Sequence, residues 1–268
     1  MTATNLITIA GFMAVLPTAL ATATGRVRAK SGAYGALLAV AVAGTVLQFF
    51  AIDPGWHTDF AFSLWISVAS GLAVFAAAGA VSPMVPRLAP LFLTLMAALA
   101  FLAMAASLFR PSSANTGLDL SAWLWVHIAV SVLTYAFLTI AAVAAFAALI
   151  QERALKRKTP LKRLDGLPAV LECEALVLRY LTLSLIVLVV GLASGIGINL
   201  VGGAAALTAD HKTVFTLIAL TVIGGLLAAH RLSGARGRQV ARLVLAAYLC
   251  VTLAYPGVKF VTDVLLAY

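Results

Sequence analysis

The sequence predicts an all-α protein: a polytopic transmembrane helix bundle with about eight spans and both termini outside. Composition, recurring apolar runs and the placement of basic residues all predict it. Of 268 residues, 63% are hydrophobic and only 10% charged, whereas soluble domains carry about 25% charged residues. Apolar runs recur along the whole length, each near the roughly 20 residues that cross a hydrocarbon layer about 30 Å thick.

The first run, Leu6 to Ala23, reads as a retained helix. A cleaved signal would carry a basic stretch before its apolar segment, and no basic residue precedes Arg26. The spans expected are Asn5–Ala23, Gly32–Ala51, Phe60–Ala80, Pro90–Phe109, Ser121–Gln151, Val170–Gly195, His211–His230 and Val240–Ala267. Turn-forming residues punctuate them: Asp53-Pro54-Gly55, Ser82-Pro83, Arg110-Pro111-Ser112 and the glycines from Gly195 to Gly203. The fifth span is expected to continue as helix out of the membrane, because nothing from Gln151 to Lys156 breaks one. Pro256 is expected to kink the last span, and Gly191 and Gly195 to mark a close helix contact. No internal repeat stands out, so residues 1–268 read as a single integral membrane domain.

Basic residues set the orientation. The first loop holds Arg26, Arg28 and Lys30, and the third Arg87. The fifth holds Arg153, Lys156, Arg157, Lys158, Lys162 and Arg163, and the seventh Arg231, Arg236, Arg238 and Arg242. The even-numbered loops offer little beyond Arg110. Lysine and arginine mark the cytoplasmic side, which puts the even loops outside, with Trp56, Trp123 and Trp125 at outer helix ends. The same argument accounts for the net charge of +9 without nucleic acid as a partner. The expected location is a bacterial inner membrane, crossed several times.

Composition and motifs exclude several chemistries. Cys173 and Cys250 form no C-x-x-C, so a zinc site, a disulfide framework or covalent haem attachment is not indicated. No hydrolase triad or phosphate-binding glycine loop is present, and no carboxylate cluster suits a dinuclear metal.

The histidines carry what chemistry remains. His230 sits at a cytoplasmic helix end beside Arg231, where a solvated residue facing the helix dipole is the simplest reading. His57 belongs to an outer loop. His127 lies about six residues into the fifth span, roughly 9 Å below its outer end. Trp123, Ser131, Thr134 and Tyr135 share its helix face by spacing. An ionisable group inside a span usually faces the bundle interior or a functional pathway. A histidine simply hydrogen-bonded to a neighbouring helix fits that position equally well. His211 opens the seventh span after Asp210, a candidate N-cap whose carboxylate would also orient the imidazole. Together, His127 and His211 share a depth at the outer face. Neutral imidazole is a common axial ligand of haem iron, and Lys212 or Arg110 would suit its propionates.

The segment Trp125-Val126-His127-Ile128-Ala129-Val130-Ser131, with Tyr135 and Ile150-Gln151-Glu152-Arg153, resembles the cytochrome c assembly protein family, which includes CcsA- and CcmC-like haem-handling proteins. Other stretches are similar to its small YpjD/HemX-like branch. They are Leu167-Pro168 leading to Leu171-Glu172 and Glu174, then Gly191-Leu192-Ala193-Ser194-Gly195, Asp210-His211-Lys212-Thr213, and Gly257-Val258-Lys259-Phe260-Val261. The resemblance is most specific over 123–268. It implies an inner-membrane protein supporting cytochrome c biogenesis, with non-covalent haem b held at the outer face between His127 and His211 as metal ligands. Trp123 and Tyr135, by helix spacing, and Asp210 and Lys212, beside His211, complete the candidate cofactor site. Implied partners are haem, other cytochrome c assembly proteins or apocytochrome c, and the lipid bilayer. The chain is expected to act as carrier or accessory factor and not as an enzyme. One departure from the larger relatives is clear: Ile196 to Ala209 contains no tryptophan, where they have a tryptophan-rich outer loop. A HemX-like membrane regulator of haem biosynthesis and a small-solute transporter are the alternatives.

Overall fold

The computed structural model describes residues 3–28, 31–51, 59–108, 122–157, 166–201, 203, 211–234, 237–257 and 260–261. Eight α-helices follow in order: α1 Ala3–Ala23, α2 Gly32–Ala51, α3 Phe60–Val81, α4 Ala89–Leu108, α5 Ala122–Arg157, α6 Val170–Val201, α7 His211–Ser233 and α8 Arg238–Thr252. A short 3-10 turn, Val85–Leu88, leads into α4. Six helices among the described residues are long and apolar enough to cross a membrane, within α1 to α6. The protein is a multi-pass membrane protein.

The ends of the helices follow local chemistry. Asp59 caps α3, its carboxylate accepting from the Phe62 backbone N–H at 2.9 Å. Such a cap satisfies one of the free amides of a first turn. Glu172 does the same from within α6, accepting from the Ala169 N–H at 2.8 Å. At 36 residues, α5 is far longer than the roughly 20 that a bilayer requires. Its last turns, with the Glu152–Lys156 pair at i and i+4, extend the helix as the sequence predicts. Around Pro256, α8 gives way to a π-helical turn over Leu253–Gly257. A proline removes one amide from the helical ladder and crowds the preceding turn, which accounts for the break in the α-helical ladder there.

The chain packs as two compact units. Unit 1 comprises 1–119 with 160–167, and unit 2 comprises 120–159 with 168–268. Within unit 1, α1 packs on α2 and α4, and α3 packs on α2 and α4. Close approach is built into α1 and α2. A Cβ on Gly44 would stand 2.4 Å from the Ala14 methyl, and one on Gly11 would stand 2.7 Å from Gln48 Oε1. On the opposite corner the rings of Phe75 and Phe92 stack at 4.1 Å. Arg87 donates to the carbonyls of Gly166 and Leu167.

Unit 2 has the same ring order: α5 and α7 each pack on α6 and α8. The sequence shows no repeat that anticipates this likeness. Successive antiparallel helices can take this order without sequence identity. α5 is the most enclosed helix of the described chain. Leu138, Ile140, Ala141, Ala144, Ala145 and Ala147 are wholly buried, and the run of alanines lets the neighbouring helices approach closely. Ser184 of α6 donates to the Thr134 carbonyl of α5 at 3.2 Å. Near the start of α6, Glu174 accepts from the Gly237 N–H at 3.0 Å at the N-cap of α8. That contact gives Glu174 the interhelical partner its apolar setting demands.

Candidate functional site

His127 is the sixth residue of α5, about 7.5 Å along the axis from its first, Ala122. Its imidazole is half-buried against α6. The contact exists because α6 presents little side-chain bulk there. A Cβ on Gly195 would stand 3.2 Å from His127 Cε1, and one on Gly191 3.3 Å from Val130 Cγ1. One turn further, a Cβ on Gly197 would stand 3.6 Å from the Trp123 ring. Gly191 and Gly195 are thus a packing site, and what they receive is the histidine face of α5.

Two hydrogen bonds fix that face. His127 Nδ1 lies 2.8 Å from Ser194 Oγ, and the Trp123 indole N–H donates to the Ser194 carbonyl at 3.2 Å. Ser194 itself is 8% exposed and donates to the Gly191 carbonyl at 2.8 Å. His127 makes the interhelical contact that one of its two sequence readings expects. It is hydrogen-bonded to a neighbouring helix, and it keeps a second ring nitrogen with no side-chain partner among the described residues.

The other predicted site residues divide. Trp123 joins His127 on α6 while remaining 53% exposed. Tyr135 is buried, but its hydroxyl is engaged by α8, 3.0 Å from the Tyr248 hydroxyl and 3.4 Å from Thr252 Oγ1. It lies about 12 Å along α5 from His127, eight residues at 1.5 Å each. The two tyrosine rings also stack, with centroids 5.5 Å apart, so Tyr135 joins α5 to α8. Ser131 points away from the protein and bonds back to the His127 carbonyl. His211 is the first residue of α7. Its side chain and that of Lys212, together with Asp210, His57, Trp56 and Arg110, lie outside the described residues. His230 is in the last turn of α7, where the helix dipole favours it. It lines a small cavity of about 30 Å3 with Glu152, Glu174 and Arg238, room for about one water molecule.

Sequence reasoning missed Ser194. Its signal was available in Gly191-x-x-Ser194-Gly195, which places a hydroxyl between two glycines on one helical face.

A family model for the cytochrome C assembly protein matches residues 30–266. The chain belongs to the cytochrome c assembly protein family. Members handle haem in membranes and are not conventional enzymes, and membership gives this protein a role in cytochrome c biogenesis. It is also 49% identical over 214 residues to a protein of Azospirillum brasilense named as an uncharacterized 28.8 kDa protein in the nifR3-like 5′ region. That alignment covers 79% of this chain and 78% of the relative. No solved structure matches the chain.

Proposed function

We propose that this protein binds haem b non-covalently near the outer face of a bacterial inner membrane, with His127 and His211 as axial ligands, and supports cytochrome c biogenesis as a carrier or accessory factor. The observation that carries the reading is the position of the two histidines within unit 2. His127 lies in the second turn of α5 and His211 is the first residue of α7. Both helices flank α6 and α8. The bonds Trp123–Ser194 and Gln151–Pro168 set α5 antiparallel to α6, and the cavity shared by Glu174 and His230 sets α7 antiparallel to α6 as well. The N-terminal ends of α5 and α7 therefore share one end of the unit. Neighbouring helices pack about 8–10 Å apart, so helices on a diagonal stand roughly 13 Å apart. That separation suits two imidazoles reaching toward one iron from opposite sides.

The donor set fits the group. Among the described residues no group of three His, Cys, Asp or Glu side chains is placed to hold a metal ion. A porphyrin brings four nitrogens of its own, so one or two imidazoles complete the iron's coordination. His127 presents a nitrogen with no side-chain partner, in an apolar helix contact. Bound haem would supply the iron and the redox chemistry of the assembly process. The chain's residues would bind, orient and shield it: Trp123 offers an aromatic face beside His127, and Lys212 a cation for a propionate. Chain partners in this reading are other cytochrome c assembly proteins or apocytochrome c.

The test is optical. Protein purified in detergent should show the Soret and α/β bands of low-spin haem with two imidazole ligands. His127→Ala and His211→Ala should each shift those bands or abolish them. Protein that binds no haem when haem is supplied, or bands unmoved by both substitutions, would contradict the proposal.

A further inference from the structure

We infer that Ser194 is a positioning residue for His127: its hydroxyl holds the imidazole proton on Nδ1 and leaves the Nε2 lone pair as the one available to a ligand. The purpose of that arrangement rests on the haem reading above, whereas the protonation pattern does not need haem to be present.

A serine hydroxyl has one proton to donate. Ser194 Oγ lies 2.8 Å from the Gly191 carbonyl oxygen, which can only accept. The hydroxyl proton is therefore committed to Gly191. Toward His127 the same oxygen offers a lone pair, and Nδ1 lies 2.8 Å away. Two groups that both lack a proton would repel at this distance, so the contact is a hydrogen bond only if Nδ1 carries the proton. In water a neutral histidine prefers its proton on Nε2; here the partner of one ring nitrogen dictates the state of the other.

Ser194 differs from an ordinary helical serine that merely bonds back to its own helix. It is nearly enclosed, and both of its oxygens are engaged by α5. The carbonyl receives the Trp123 indole N–H, and the hydroxyl receives the imidazole. The flanking glycines admit the ring to this position, since a Cβ at 195 would stand 3.2 Å from Cε1. Partners of this kind fix the tautomer and orientation of a ligating histidine, and their loss typically lowers metal affinity about 10- to 100-fold.

The experiment uses full-length protein in detergent, first without haem. Nitrogen-15 NMR of labelled histidine distinguishes the two neutral tautomers, and the His127 signal is identified by its absence in His127→Asn. Wild type should show His127 protonated on Nδ1. Ser194→Ala, which removes one oxygen and adds no bulk, should move the proton to Nε2, and Ser194→Thr should restore it. Haem titration should then show affinity about 10- to 100-fold weaker for Ser194→Ala. A wild-type His127 protonated on Nε2, or a tautomer unmoved by Ser194→Ala, overturns the inference whatever haem does. The predicted tautomers in a protein that takes up no haem would leave the hydrogen bond standing and overturn the ligand role with the haem reading. Ser194→Ala alone decides the matter if Ser194→Thr does not fold.

Discussion

Gly195→Ala perturbs the histidine contact while adding only a methyl group. The new Cβ would lie 3.2 Å from His127 Cε1, 3.7 Å from Nδ1 and 3.9 Å from Nε2. Nonbonded carbons rest about 3.5–4.0 Å apart, so the ring must retreat by roughly 0.3–0.8 Å or the helices must part. Either movement stretches the 2.8 Å bond from Nδ1 to Ser194 toward the limit of useful hydrogen bonding. Overpacking costs about 1–3 kcal/mol, and replacing a helical glycine by alanine returns about 1 kcal/mol. The fold should therefore lose no more than about 2 kcal/mol, a modest fall in thermal midpoint. Haem affinity should fall by about tenfold or more, because the displaced group is the proposed ligand. Gly191→Ala is the matched control: its Cβ would meet Val130 Cγ1 at 3.3 Å, a similar crowding that does not touch the imidazole. Haem titration and thermal unfolding on the same preparations separate the two effects. The reasoning is refuted if Gly195→Ala binds haem as wild type does, or if Gly191→Ala weakens binding as much.

Other substitutions test the packing. Tyr135→Phe removes a hydroxyl bonded to Tyr248 and lying near Thr252. It should lower stability by about 0.5–1.5 kcal/mol and leave haem affinity within about twofold, read by thermal unfolding beside haem titration. Gly44→Ala would put a methyl 2.4 Å from the Ala14 Cβ. It should cost about 1–3 kcal/mol, seen as a lower thermal midpoint. Gly224→Ala in α7 meets nothing within 4 Å and should stabilise by up to about 1 kcal/mol in the same assay. Glu174→Ala strips α8 of the carboxylate that accepts from the Gly237 N–H. A loss of about 1 kcal/mol is expected, with faster amide exchange at the start of α8.

Much of the fold was legible because the membrane imposes few solutions. An apolar run must satisfy its own backbone, so it becomes a helix, and the helix starts fall within two residues of those read from the apolar runs and their breaks, although α6 runs on through Gly195 and Gly197 to Val201. Gly191 with Gly195, and Pro256, also carried their meaning locally: small residues admit a neighbour, and proline interrupts a ladder. What was not legible depends on partners distant in sequence. Nothing near Glu174 in the chain reveals that it accepts from the N-cap of a helix starting more than sixty residues later. The spacing of Tyr135 placed it on the His127 face, yet eight residues along α5 the face has turned and moved on to meet Tyr248 of α8. Ser194 read as one more small residue in a glycine stretch until α5 brought an imidazole to its hydroxyl. The division into two four-helix units was invisible because the same packing order can be built from unlike residues.

The most direct test of the central claim is chemical rescue at one ligand. His127→Gly opens a space the size of an imidazole at the α5–α6 contact. The variant should lose the low-spin spectrum of two histidine ligands, and free imidazole should restore it with saturable dependence on concentration. A His127→Gly protein whose haem spectrum matches wild type before any imidazole is added would contradict the account.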